Sequence, residues 1–496
     1  MPAHEKSFPT FFNKKTSFTW LMQWMGIASL LLLLFVYATL TGYSPLIGIL
    51  LIIPPLYCLF YYRFSFFVTL VFIYTLGFAA FLNLPVTSGG FPVSTAILIS
   101  AMPLWWLAAL LQKDREIFLI FFRRPEHILV TAFLVTMFVS LVNSRELVPA
   151  IRQIQLFIYC WLIFYYTQLV LLDRNKLDRA VFWFCMSGLT VGLLGLLEII
   201  IQQPLYWVLG NRSVLMADVS DVVLNAHAGR INGLAGDAPF HGIFMSIHFC
   251  LSLYYFMISS RKWTKLFYAA VFSISLINVV LTASRGAVIS TILAFLMMWT
   301  FLRIKNKWGI LIGLSALFVF LIMFFTIFMP EMHIERLYSS EARATDTVSM
   351  RFSHIPIAWM MFFDHPILGL GPDGFVTNYT KYAPEFAANA YKTVTMKTHN
   401  TPLQILAEYG LVGMFILSSL YILTVKRMWE VLQNSRDQQL QYLALAFLGA
   451  LVGYLFFLCT SNTLFDKNLW LLIALAQSTY TIHLTLQSPS DGTLSL

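Results

Sequence analysis

RFSHIPIAWMMFFDHPILGLGPDGF (351–375) and, after a polar insert, KTHNTPLQILAEYGLVG (397–413) make the longest weakly hydrophobic interruption in an otherwise apolar chain. The second piece reads as a helix start. Thr401 is the expected cap, Pro402 suits the first helical position, and the apolar run from Leu403 to about Val425 is long enough to cross a bilayer. His399 then sits just outside a helix N-terminus, where the partial positive charge of unpaired amides disfavours imidazolium and favours a neutral, proton-accepting ring. The same N-terminus suits an anionic group such as a phosphate. Upstream, Gly369, Gly371 and Gly374, with Pro366 and Pro372 among them, form a tight bend that is expected to bring Arg351 back toward His399.

The rest of the chain supplies the membrane. Of 496 residues, 59% are hydrophobic and 11% charged, a balance that belongs to a polytopic membrane protein and excludes a soluble enzyme. Spanning-length apolar segments occur near 18–40, 46–62, 64–84, 92–111, 127–143, 148–172, 177–201, 240–258, 265–282, 286–302, 308–329, 400–425, 439–459 and 468–485. Several are short, so the expected fold is an all-α polytopic integral membrane protein of about 12–14 transmembrane helices with a large, partly helical periplasmic loop. The first run is too long for a cleaved signal and reads as a signal anchor. Cys58, Cys160, Cys185, Cys250 and Cys459 all fall in apolar runs, as packing thiols do.

A net charge of +9 invites a nucleic-acid partner, but the basic residues follow membrane topology instead. With the N-terminus in the cytoplasm, 20 of the 32 Lys and Arg fall on the inner side, and six of the other 12 lie in one long outer loop. The expected division is a cytoplasmic tail (1–17), N-terminal spans (18–201), a periplasmic loop (202–239), further spans (240–329), a large periplasmic loop (330–398), C-terminal spans (399–485) and a cytoplasmic tail (486–496). Charge placement thus puts Arg230, Arg285, Arg351 and His399 on one, outer, side. The second loop carries six basic and seven acidic residues, so an anion there must be held by placed arginines rather than by a general field. The Trp, Phe and Met content of 352–363 predicts an ordered helix on the membrane surface or over a cavity, and Pro356 should kink or delay it. Arg285, in TASRGA between two apolar spans, is costly to bury unless paired or hydrated, which marks it as a functional candidate.

The arginine-led helix, HPILGLGPDGF and THNTPLQILAEYGLVG, together with GRINGLAGDAPFHG (229–242) and LTASRGAVIS (281–290), resemble the hallmark region of the bacterial O-antigen ligase and polymerase superfamily of membrane glycosyltransferases. The resemblance covers roughly 229–425 and does not separate ligase from polymerase. It implies an inner-membrane enzyme of polysaccharide or lipopolysaccharide biosynthesis. Such an enzyme moves an undecaprenyl-diphosphate-linked glycan onto a glycan, lipid or protein acceptor on the periplasmic side, with inversion at the anomeric carbon. On that pattern His399 is the base that activates the acceptor hydroxyl, and Arg285 and Arg351 grip the diphosphate. Arg230, Asn400 and Glu408 are supporting residues. No cofactor or metal is expected: no Asp-x-Asp pair occurs, and His333, His354 and His365 are not spaced as ligands. The competing reading is a polysaccharide flippase or other transporter, which tends to place its ionisable residues near the midplane, where Glu198 and His248 are the candidates here.

Overall fold

A computed structural model describes residues 65–76, 83–84, 91–92, 124–201, 230–235, 237–302, 307–328, 342–383 and 397–487. Within them the chain is helical, as apolar segments in hydrocarbon must be, because only a helix pairs its own backbone groups. The helices are α1 (Ser65–Leu76), α2 (Pro125–Ser140), α3 (Leu147–Val170), α4 (Arg174–Ile201), α5 (Ala238–Ile258), α6 (Lys262–Leu281), α7 (Arg285–Phe301), α8 (Lys307–Phe328), α9 (Ala342–Asp364), α10 (Gly374–Tyr382), α11 (Thr401–Asn434), α12 (Gln438–Leu458) and α13 (Lys467–Gln487). A two-residue antiparallel pair, Asn83–Leu84 with Phe91–Pro92, is the sole strand structure among the described residues. Nine of the described helices are long and apolar enough to cross a membrane, and α7 is a shorter apolar helix. The molecule is an all-α polytopic membrane protein. The expected spans near 18–40, 46–62 and 92–111, and most of the loop 202–239, lie outside the described residues.

Helices α5, α12 and α13 form the interior, and the other spans surround them with apolar residues such as Val135, Ile200, Phe320 and Phe415 facing outward, as lipid contact requires. Small residues set the closest approaches. In α12, Gly449 and Gly453 are four apart, and a Cβ on either would collide with Ala294 or Ser290 of α7. In α4, Gly188 and Gly195 leave room for the buried rings of His248 and His241 from α5. His241 Nε2 pairs with Asn278 Oδ1 at 2.9 Å, and Glu198 accepts from the amides of Asn232 and Gly233, so the deep ionisable groups hold the bundle together.

One span is broken. Within α11, Gly410 has φ 59 and ψ −156, a conformation that only glycine adopts at low cost. The break strands backbone groups on either side, and the bend at 366–371 satisfies them. Leu370 and Gly371 donate to the carbonyls of Ala407 and Glu408, and Leu411 and Val412 donate to those of Pro366 and Ile367. Asn143, just past α2, closes the arrangement by donating to Gly369 O at 2.8 Å. The first turns of α11 are therefore a half-helix, separately aimed, with His399 at its mouth. Helix α9 runs through Pro356 without ending there. The carbonyl deprived of a partner belongs to Phe352, which is exposed.

Candidate active site at one end of the bundle

His399 has φ 49, left-handed for a non-glycine residue. The cap of α11 is Asn400, one residue earlier than expected: its Oδ1 accepts from Leu403 N at 3.0 Å, leaving Thr401 and Pro402 in the first turn. Thr401 is spent elsewhere. Its hydroxyl donates to Ser461 O and accepts from Thr463 N. Asn462 Oδ1 accepts from Thr398 Oγ1 at 2.6 Å and from Asn400 N at 2.9 Å, while Asn400 Nδ2 donates to Cys459 O at 3.0 Å. The His399 loop is thus stitched, residue by residue, to the turn 459–463 between α12 and α13.

The start of α7 meets the same turn. Ser284 caps α7 by accepting from Ala287 N, and Ala283 before it has φ 47. A Cβ on Gly286 would stand 2.8 Å from Thr460 Oγ1 and 3.5 Å from the Phe457 ring, so the start of α7 lies against the edge of the turn that holds the His399 loop. Arg285 is exposed at this junction. Arg230 is joined to it from behind: its Nε donates to Thr282 O at 2.8 Å, and Ile231 N donates to Leu281 O.

Arg351 is helical within α9, and its side chain lies outside the described residues. One helical turn further on is His354, whose buried ring lies against the backbone of Lys397 and Thr398. It runs parallel to the His399 ring at 6.4 Å between centroids. Burial holds His354 below the usual imidazole range, against contacts with the Lys397 and Thr398 backbone that raise it. Segments carrying Arg230, Arg285, Arg351 and His399 therefore meet at one end of the bundle. The three described non-glycine residues with positive φ, Ala283, Asp373 and His399, all sit there, as strain tends to collect where geometry matters.

Glu408 points into a different part of this end. Buried, it accepts from Gln153 Nε2 and Gln404 Nε2, each at 3.1 Å. Gln153 Oε1 accepts in turn from Tyr409 OH at 2.9 Å and from Asp373 N. A cavity of about 300 Å³ opens beside these groups, and a second of about 350 Å³, next to Asp466 and Lys467, shares Asn462 and Phe465 as its wall. The sequence alone does not single out Gln153, Asp373 or Asn462, and His354 enters only as a residue not spaced as a metal ligand. The polar turn TSNT at 460–463, between two apolar spans, was the signal available for Asn462.

Replacing Asn462 by alanine removes the acceptor that holds Thr398 Oγ1 and Asn400 N, so a loss of about 1–3 kcal/mol is expected. Thermal unfolding of the detergent-solubilised protein measures it, and an unchanged midpoint would show that the loop is held by something else.

With this geometry in view, comparison with known proteins is informative. Residues 269–418 match the O-Antigen ligase family. That segment runs from within α6 into α11 and includes Arg285, Arg351, His399, Asn400 and Glu408, but not Arg230, Gln153 or Asn462. No curated protein matches the chain. The stretch similar to O-antigen ligases therefore carries Arg285, Arg351 and His399, while the 459–463 turn that anchors the His399 loop lies outside it.

Proposed function

We propose that the protein is a membrane glycosyltransferase of the O-antigen ligase and polymerase type, transferring an undecaprenyl-diphosphate-linked glycan to an acceptor hydroxyl on the outer side of the inner membrane. The observation that carries this reading is the junction at 459–463. There the loop of a candidate base, His399, and the helix start of a candidate diphosphate ligand, Arg285, rest against a single turn, beside the helix of Arg351. In the reaction, His399 takes the proton of the acceptor hydroxyl as its oxygen attacks the anomeric carbon. The bond from that carbon to the diphosphate oxygen breaks, and the configuration inverts. Arg285 and Arg351 hold the departing diphosphate with paired, charge-assisted hydrogen bonds, needing no metal ion to carry the charge. Asn400 sets the pitch of the loop, Arg230 buttresses the turn ahead of Arg285, and Glu408 stiffens the half-helix behind His399. The outward orientation draws support from Arg124, Arg174, Lys176, Arg261 and Lys262, all at the opposite end of the bundle.

Arg285→Ala and Arg351→Ala are each expected to lower transfer about a hundredfold, as loss of one preorganised charge-stabilising donor does. Arg285→Lys should recover little, because a point charge cannot replace a planar fork. Glycan analysis of cells with normal membrane levels of each variant is the test. Lipid-linked donor building up on the outer leaflet is the expected result. Donor trapped on the cytoplasmic leaflet would identify a flippase instead.

A further inference from the structure

We propose that the cavity of about 300 Å³ bounded by Arg152, Gln153, Asp373, Lys397, Gln404 and Asn462 is the subsite for a neutral sugar of the acceptor. The inference rests on the transferase reading and assigns the acceptor a place within it. Its volume is at the low end for small-molecule pockets, near about 300 Å³, which suits one sugar ring rather than a chain. Arg152 and Lys397 line the cavity together with Asp373 and the buried, amide-bonded Glu408. Hydroxyl groups, which both donate and accept, match a wall of mixed carboxyls, amides and cations. Phe375 and Phe465 add apolar faces for the C–H side of a ring.

Two independent features point to a ligand. Gln404 is 7% exposed and spends its Nε2 on Glu408, yet its buried Oε1 has no partner among the described residues. A buried acceptor left unpaired carries a desolvation cost that a sugar hydroxyl would relieve. Asp373 is held at φ 58 with its amide donated to Gln153, so its carboxylate is presented by a constrained backbone. Burial pushes that carboxyl above its ordinary range, and Lys397 opposes the shift. Position supplies the link to chemistry. Thr398 lines the cavity, His399 is the next residue, and the start of α7 meets the neighbouring Thr460. A sugar bound here stands beside the segment that carries the candidate base.

The test uses full-length protein in nanodiscs, with the lipid-linked glycan donor and the acceptor glycolipid fraction extracted from host cells lacking this chain. Steady-state transfer and equilibrium acceptor binding are measured for wild type, Asp373→Asn and Gln404→Ala, each checked for an unchanged unfolding midpoint. The expected result is an acceptor KM and Kd raised about tenfold or more, the worth of one charged hydrogen bond, with donor KM within about twofold. If wild type transfers glycan but both variants bind acceptor as it does, or if donor KM rises instead, the subsite is wrong and the transferase stands. If wild type neither binds acceptor nor transfers glycan, the transferase reading falls and the subsite with it.

Discussion

His399→Ala is expected to lower glycan transfer at least about a hundredfold, the usual worth of a general base, while membrane levels stay normal. The second half of that expectation follows from how the loop is held. Thr398, Asn400 and Thr401 anchor it through their own hydrogen bonds, and the imidazole is exposed. Because φ is 49 at this position, alanine adds strain that obscures the chemistry. His399→Asn is the cleaner variant, since asparagine tolerates the left-handed region but supplies no base. Both should be equally inactive in a transfer assay. An active asparagine variant would mean that the position matters for its backbone shape and not for proton transfer.

Gly410→Ala is expected to be the most destabilising single change in the site region. At φ 59 and ψ −156 a Cβ is strained, and the built atom falls 2.4 Å from Ile367 O and 2.7 Å from Pro366 O, both backbone. Strain of about 1–3 kcal/mol and an overpacking cost of about 1–3 kcal/mol together approach the low end of a domain's whole stability. Gly369→Ala meets the same wall from the other side, with its Cβ 2.3 Å from the carbonyl carbon of Glu408. Both variants should give little monodisperse protein and a strongly lowered unfolding midpoint in detergent. Gly313→Ala in α8, where a Cβ meets nothing within 4 Å, is the control and should behave as wild type. Equal behaviour of Gly410→Ala and Gly313→Ala would overturn the broken-helix account.

The spans from α2 onward were legible because length and apolar content alone decide them. Where reading from sequence stopped short, a distant partner was the reason. Helix α11 was expected to end near Val425, where Lys426 and Arg427 interrupt the apolar run. It continues to Asn434, because Arg427 pairs with Glu126 at 2.6 Å, donates to Gln477 and lies over the Tyr480 ring. The break at Gly410 is silent in sequence, since one glycine in an apolar run reads as a tolerated residue, and only the bend at 366–371 makes its purpose visible. Thr401 and Asn400 are both good caps, and the choice was made by Ser461 and Thr463, which claim the threonine. Gln153 and Glu408 are 255 residues apart and carry no local pattern that joins them. His354, set aside as a metal ligand, acquires its importance from packing against the His399 loop.

The most direct measurement is reconstitution of the purified protein in sealed proteoliposomes with lipid-linked glycan donor and acceptor glycolipid. Free undecaprenyl diphosphate and glycosylated acceptor are followed together. The account predicts that wild type releases them in equal amounts and that His399→Asn releases neither. Donor that crosses the bilayer with its glycan–diphosphate bond intact, at the same rate in both proteins, would contradict it.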